Sequence, residues 1–159
     1  MTDKHRVIDA LVTQLEESLT VAIESANNAH LDATHEQSKA ETQYDSLGIE
    51  MAYLAEGQSK RIESIKNDIQ RLTNLTLPVH HDAVQVGHLV KLCDINKANQ
   101  IIWVFILPVA GGHQITIDNV QIQTVTPSTP MAQLLLNKEL DECVNLAWLN
   151  SEFEISSIS

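Results

Sequence analysis

Asp32, Glu36, Glu41 and Asp45 crowd into one short stretch, LDATHEQSKAETQYDSLG (residues 31–48), where Lys39 is the one base. Carboxylate oxygens are the ligands that a hard cation such as Mg²⁺ takes. Held on a rigid tip, they could also approach a metal bound elsewhere and complete its shell. The plainer reading is a solvated, acidic turn between helices. Like charges in one turn repel and cost some stability, so their presence favours a use.

Other groups carry less chemistry. His80, His81 and Asp82 are adjacent, but no third well-placed ligand is visible, so no stably bound metal is expected. Cys93 and Cys143 lack CxxC spacing and read as two reduced, buried thiols. Ala110-Gly111-Gly112-His113 lacks the lysine and the following helix of a phosphate-binding loop. No spacing supports a Ser-His-Asp or Cys-His nucleophile. Lys60, Arg61, Lys66 and Arg71 lie at helical spacing from Glu56, Glu63 and Asp68, and read mainly as a solvated face.

The elements that hold the acidic stretch follow from the placement of helix breakers. The first glycine is Gly48 and the first proline is Pro78. Residues 1–72 are rich in Ala, Glu, Gln, Leu and Ser, which suit long helices. Ile8, Leu11, Leu15, Leu19, Ala22, Ala26, Ala29 and Ala33 recur three or four apart, and a second series follows on one helix face: Leu47, Met51, Leu54, Ile62, Ile65, Ile69 and Leu72. Neither stripe can be buried by its own helix, so the two should pack together as an antiparallel coiled-coil hairpin. Pairing positions whose numbers sum to about 80 sets Leu11 against Ile69, Leu15 against Ile65, Leu19 against Ile62 and Ala26 against Leu54. That register puts the turn near residue 40 and the tip near residues 34–45. Arms of ~26 residues would reach about 40 Å.

From residue 83 onward Val, Ile and Thr come in short runs broken by Gly, Pro and Asn, the pattern of strands. Val84, Val86, Val90 and Leu92 alternate as one half-buried strand. IIWVFIL (residues 101–107) is apolar throughout and reads as the central strand. Ile115 and Ile117 precede a turn at Asp118-Asn119, and Val120, Ile122 and Thr124 follow. Thr129 and Pro130 supply an N-cap and a first-turn proline for a short helix, MAQLLLNKEL. Val144, Leu146 and Trp148, then Phe153 and Ile155, read as a closing hairpin around Asn150-Ser151. The expected class is α+β: a helical hairpin over 1–72, a linker over 73–82, and a β-rich domain with one short helix over 83–159.

Composition narrows the partners. The formal net charge of −11 argues against a nucleic-acid groove or an anionic membrane surface, and fits a basic partner or a bound cation. From Val7 to Ser59 there are ten acidic residues and one basic one. No run approaches the roughly 20 apolar residues of a membrane span. The polar start, MTDKHRVIDA, has no signal-peptide core, so a cytoplasmic location is expected.

The stretch Val125-Thr126-Pro127-Ser128-Thr129-Pro130-Met131-Ala132-Gln133-Leu134-Leu135-Leu136-Asn137-Lys138 resembles the S-P-x-A-x-x-L-x-x-K segment of the Gre-type transcript cleavage factors. An acidic turn and two closing strands follow that segment in the family, as Glu139-Leu140-Asp141-Glu142 is followed here. The resemblance spans nearly the whole chain and implies an FKBP-like fold for the β-rich domain. It also implies a partner, bacterial RNA polymerase, whose secondary channel the hairpin enters. The family is not catalytic by itself. Its tip carboxylates act on Mg²⁺ supplied by the polymerase, which then cleaves its own backtracked RNA.

The family tip reads roughly D-L-S-E-N-x-E-Y. Anchored on Tyr44, Glu41 matches the second acidic residue, while the first acidic position falls on Ser38, with Glu36 two residues earlier. The resemblance therefore implies Glu36, Glu41 and Asp45 as tip carboxylates, and leaves a second outcome: a factor that occupies the channel without promoting cleavage. Ser128, Thr129 and Pro130 match the family's polymerase-docking loop, although Thr129-Pro130 also explains itself as a helix cap. A basic patch on the family hairpin lies along RNA, which implies at most a weak contact with nascent RNA and no specific DNA readout. An FKBP-like domain also raises a peptide-binding or peptidyl-prolyl isomerase module. Trp103, Phe105, Trp148 and Phe153 are its only large aromatics for a proline pocket, and fold analogy alone carries little functional weight.

Overall fold

The computed structural model describes residues 3–39, 46–97 and 99–159, with the side chains of 32–39, 46–48, 51 and 52 outside that description. The fold is α+β: two long N-terminal helices in contact as a hairpin, then a six-stranded mixed sheet with one short helix. Two compact units are present, Val12–Gln70 and the union of Met1–Leu11 with Arg71–Ser159.

The helices are α1 (Lys4–Lys39) and α2 (Ser46–Thr73); they build the first unit except for their outer ends, up to Leu11 and from Arg71, which belong to the second. Ile8, Leu11, Leu15, Ala22 and Ala29 are buried on α1, as the periodicity predicts. Ser18 and Leu19, then Ser25 and Ala26, are half-buried between them. On α2 the stripe departs from the expected one. Leu54 is exposed, and Ala55, Gln58, Ile62, Ile65 and Ile69 lie half-buried ahead of buried Leu72. The physical reason is the strict 3-4 step: going back from Ile62, it lands on Gln58 and Ala55 and misses Leu54. A repeat of 3.5 residues keeps one seam facing the partner helix, and a polar residue is held in it by position. Gln58 Oε1 is buried with no hydrogen-bond partner among the described residues. Neighbouring Gly57 has nothing within 4 Å of where a Cβ would stand. Gly57→Ala should raise the stability of the hairpin by about 0.5–1 kcal/mol, read as a shift of the denaturant midpoint at unchanged slope.

The second unit holds the sheet, in the order β3-β4-β2-β1-β6-β5. Its strands are β1 (Leu89–Asp94), β2 (Ile101–Ile106), β3 (Gln114–Ile117), β4 (Val120–Val125), β5 (Cys143–Leu146) and β6 (Ser151–Ile158). Every neighbouring pair is antiparallel except β2 and β4, which run parallel because β3 folds outside β4 as a hairpin. Asp118 and Asn119 both take positive φ, 49° and 64°, as a tight two-residue hairpin turn requires. β2 lies inside the sheet, as its apolar run predicts. Ile102, Val104 and Ile106 alternate toward a core with Val90, Leu92, Phe153, Ile155 and the helix residues Met131, Ala132 and Leu135. Phe105 on the other face pairs with Leu89 across β1, and both are fully buried. From Val104 to Leu107 the run is buried on both faces, which is why it shows no polar alternation there, while Ile101 at its start is exposed.

Four local expectations are corrected. Val84 and Val86 are not in a strand: Gly87, at φ +92°, turns the chain, and β1 begins at Leu89. The short helix α3 spans Pro130–Leu135 and stops well before Leu140, because Asn137 takes φ 64° and leaves the helical path. Trp148 is not in β5; it lies exposed in a single 3₁₀ turn, Ala147–Leu149, ended by Asn150 at φ 50°. The cysteines are free, as expected, but Cys93 is only half-buried and Cys143 is exposed. Both face Glu154, each from its own side of β6, so they are two strands apart, which at about 4.8 Å per strand exceeds the reach of a disulfide. Desolvation, then the charges of Glu152 and Glu154, push the Cys143 thiol up, away from a reactive thiolate.

Candidate functional site

The segment between β4 and α3 builds a concave surface from local hydrogen bonds. The Thr129 hydroxyl accepts from Ala132 N at 3.3 Å and donates to Thr126 O at 2.8 Å. It thus caps α3 and closes the preceding turn together, and Pro130 occupies the first helical turn where its missing N–H costs nothing. Ser128 is exposed, with its hydroxyl 3.3 Å from that of Thr126.

The facing wall is the loop between β2 and β3. Buried Thr124 donates its hydroxyl to Ala110 O at 2.7 Å and accepts from His113 N at 3.0 Å, pinning the loop to β4. Gly111 passes so close that a Cβ there would lie 3.0 Å from Thr126 N. Between the walls lies a cavity of about 290 Å³ bordered by Gly112, Val125, Thr129, Pro130, Met131 and Trp148. Its lining is mostly apolar, and the Trp148 ring is 54% exposed beside it. An apolar hollow edged by hydroxyls and an open indole suits a partner's apolar side chain. Of the loop residues Ser128, Thr129 and Pro130 singled out in the sequence, Thr129 and Pro130 border this cavity and Ser128 does not; Trp148, weighed there only as an aromatic for a proline pocket and read as part of a strand, borders it too. The available signal was Asn150, which ends a turn and takes the tryptophan out of the strand alternation.

The tip residues stand differently. Glu36 lies within α1, its side chain beyond the description, and Glu41 and Asp45 fall outside the described residues. The solvated-face reading of the lower α2 is met by Lys60 and Glu56, an exposed pair at 3.1 Å, of the kind worth a few tenths of a kcal/mol.

The histidines of the linker come together with one that sequence reasoning did not single out. His88 is fully buried, its Nε2 3.3 Å from His81 Nδ1 and 2.9 Å from His80 O. Gln85 N donates to His88 Nδ1 at 3.1 Å, so the neutral ring carries its proton on Nε2 and directs it at the His80 carbonyl. A metal on Nε2 would need Nδ1 protonated against that Gln85 N–H. The arrangement is therefore a structural staple, and among the described residues no group of three His, Cys, Asp or Glu side chains could hold a metal. Among the described residues, too, no helix is long and apolar enough to cross a membrane.

No family model and no curated protein matches the chain. Solved structures do. The chain is similar across nearly its whole length to GreA factor homolog 1 (Gfh1) of Thermus thermophilus, at 17% identity over 94% of this chain and 95% of that one, with a TM-score of 0.39. Thermus aquaticus Gfh1 matches at 19% identity over 94% of each chain, with the same TM-score of 0.39. A further structure of the transcription factor Gfh1 matches at 18% identity over 94% of this chain and 93% of that one, with a TM-score of 0.38. At these values the likeness does not carry function across.

Proposed function

We propose that the protein is a transcription elongation regulator that binds bacterial RNA polymerase and places its acidic hairpin tip in the secondary channel. The observation that carries this reading is the segment from Val125 to Lys138. It resembles the Gre-type docking segment, and it forms the capped wall of an apolar cavity. The hairpin supports the reading independently, since a thin two-helix probe rich in carboxylates suits a channel lined with basic groups. Ser128, Thr129 and Pro130 form the docking surface in this reading, with Trp148 as its exposed anchor. Glu36, Glu41 and Asp45 are the tip carboxylates, and the polymerase supplies the Mg²⁺. The protein is then no enzyme by itself and works in the cytoplasm, with at most a weak contact to nascent RNA.

Capture of core polymerase by the tagged full chain, followed by RNA cleavage in stalled complexes, tests the reading. Trp148→Ala should weaken capture by about tenfold or more without unfolding the chain, because an exposed indole contributes to binding and little to the core. Failure of the unmodified chain to capture polymerase rejects the proposal. Ser38, where the family carries an acid, favours a second reading in which the factor occupies the channel and slows synthesis without cleavage. An isomerase assay on the full chain is expected to show no activity.

A further inference from the structure

We infer that the free edge of β5 takes up an extended, basic segment of a partner protein as a further strand of the sheet. β5 ends the order β3-β4-β2-β1-β6-β5, so one of its sides has no neighbouring strand. The pairing decides what that side presents. Ile155 N donates to Glu142 O at 2.9 Å, which makes 142 and 155 a hydrogen-bonded position between the two strands. Across β6, Ile95 N donates to Glu152 O at 3.1 Å, so Glu152 and Glu154 turn their backbone groups to β1. Both bonds fix the same alternation: Val144 and Leu146 pair with Phe153 and Ser151 through the backbone, and Cys143 and Asn145 point their N–H and C=O groups outward. Among the described residues nothing bonds to those outward groups. The strand, Cys143-Val144-Asn145-Leu146, also carries neither the proline nor the lysine that commonly blunts a sheet edge.

The side chains select the partner. Val144 and Leu146 are buried, while Cys143 and Asn145 stand exposed on the other face, beside Glu152 and Glu154 of β6. Neither of these carboxylates has an ion-pair partner among the described residues, whereas Glu142 is held by Lys138 at 2.8 Å. Their charge reaches the edge: after desolvation, Glu152 and Glu154 push the Cys143 thiol up. A strand laid about 4.8 Å outside β5 sets alternate side chains on this face, and a lysine or arginine there is long enough to reach across β5 to the carboxylates. Exposed Leu140 and Leu149, just before and just after β5, add apolar contact at its ends. A second copy of the chain is disfavoured, because it brings the same carboxylates and a formal net charge of −11 to the edge. The opposite edge differs: neither β3 nor its neighbour β4 carries an acidic residue.

The site is independent of polymerase binding, and its test uses the full chain alone. The probe is a short end-blocked peptide of alternating lysine and threonine, with amide exchange measured in its absence and presence. The Cys143 and Asn145 amides should exchange fast in the free chain and slow by about tenfold or more in the complex, while the Thr116 amide on β3 stays as it was. Two N-methylated forms, one with the methyls on the lysine amides and one with them on the threonine amides, separate strand pairing from adsorption to an acidic surface. At least one of them should bind about tenfold more weakly than the parent. Glu152→Gln combined with Glu154→Gln changes the open face and no buried apolar residue, and should also weaken the parent peptide by about tenfold, with the salt dependence of binding reduced. Slow exchange of Cys143 and Asn145 in the free chain, equal binding of both methylated forms, or equal protection of Thr116 would overturn the inference. So would protection of the same amides in a dimer formed without peptide, which would give the edge to a second copy.

Discussion

Gly87→Ala is expected to destabilise the sheet unit by about 3 kcal/mol, the sum of two effects. The first is conformational. Gly87 sits at φ +92°, a region costly to any residue with a Cβ, of order 1–2 kcal/mol. The second is steric. A Cβ would stand 2.4 Å from Pro78 Cδ and 3.2 Å from its Cγ. Those atoms belong to a stiff ring and cannot swing aside as the end of a lysine would. Relief would require moving Pro78 or the turn, and the turn is held by the Gly87 N bond to Ile106 O. The expected measurement is a loss of roughly 10 °C in the thermal midpoint. Pro78→Ala in the same chain should recover the steric part and leave the conformational part, so the double variant should fall between the two. A Gly87→Ala protein as stable as the original would mean that the turn at Gly87 carries no fixed geometry.

The same residue shows why part of the fold was legible and part was not. Asp118-Asn119 announces its turn because both residue types tolerate positive φ and sit between alternating strands. Thr129-Pro130 announces a helix start because capping and proline geometry are local. Gly87 sits between Val86 and His88, with no second turn residue beside it, and the valine alternation runs on through it. What ends that alternation is a contact with Pro78, nine positions away, and local pattern holds no record of it. Leu54 fails for a related reason. Hydrophobicity marks it as a core residue, yet the helix seam is set by the 3-4 step, which selects Gln58 instead. The cavity was half legible for the same cause: Thr129 and Pro130 declare themselves by local chemistry, whereas Trp148 reaches the site through a turn that reads as strand.

Glu41→Ala is the functional prediction with the largest expected effect. If the tip completes the shell of a polymerase-held Mg²⁺, removing one carboxylate removes a charge placed where the attacking water forms. Losing one preorganised electrostatic contact of this kind costs about 10²–10³-fold in rate. Cleavage of backtracked RNA should fall by about 100-fold at saturating factor, with capture of the polymerase unchanged, because the docking surface proposed above is the one around Thr129. Glu36→Ala separates two arrangements. With Ser38 at the family's first acidic position, Glu36 lies half a helical turn away in sequence terms, and it can serve only if the chain near the tip brings it round. A loss as large as that of Glu41→Ala would make the two carboxylates joint ligands. A loss confined to Glu41 would assign the charge to one residue, and Ser38→Asp should then raise cleavage above that of the unmodified chain. Absence of cleavage in the unmodified chain, together with slowed synthesis that survives Glu41→Ala, would place the protein among factors that act by filling the channel. In that case the net charge of the probe governs its action through the field it presents to a basic wall, and rising salt should weaken the inhibition steadily.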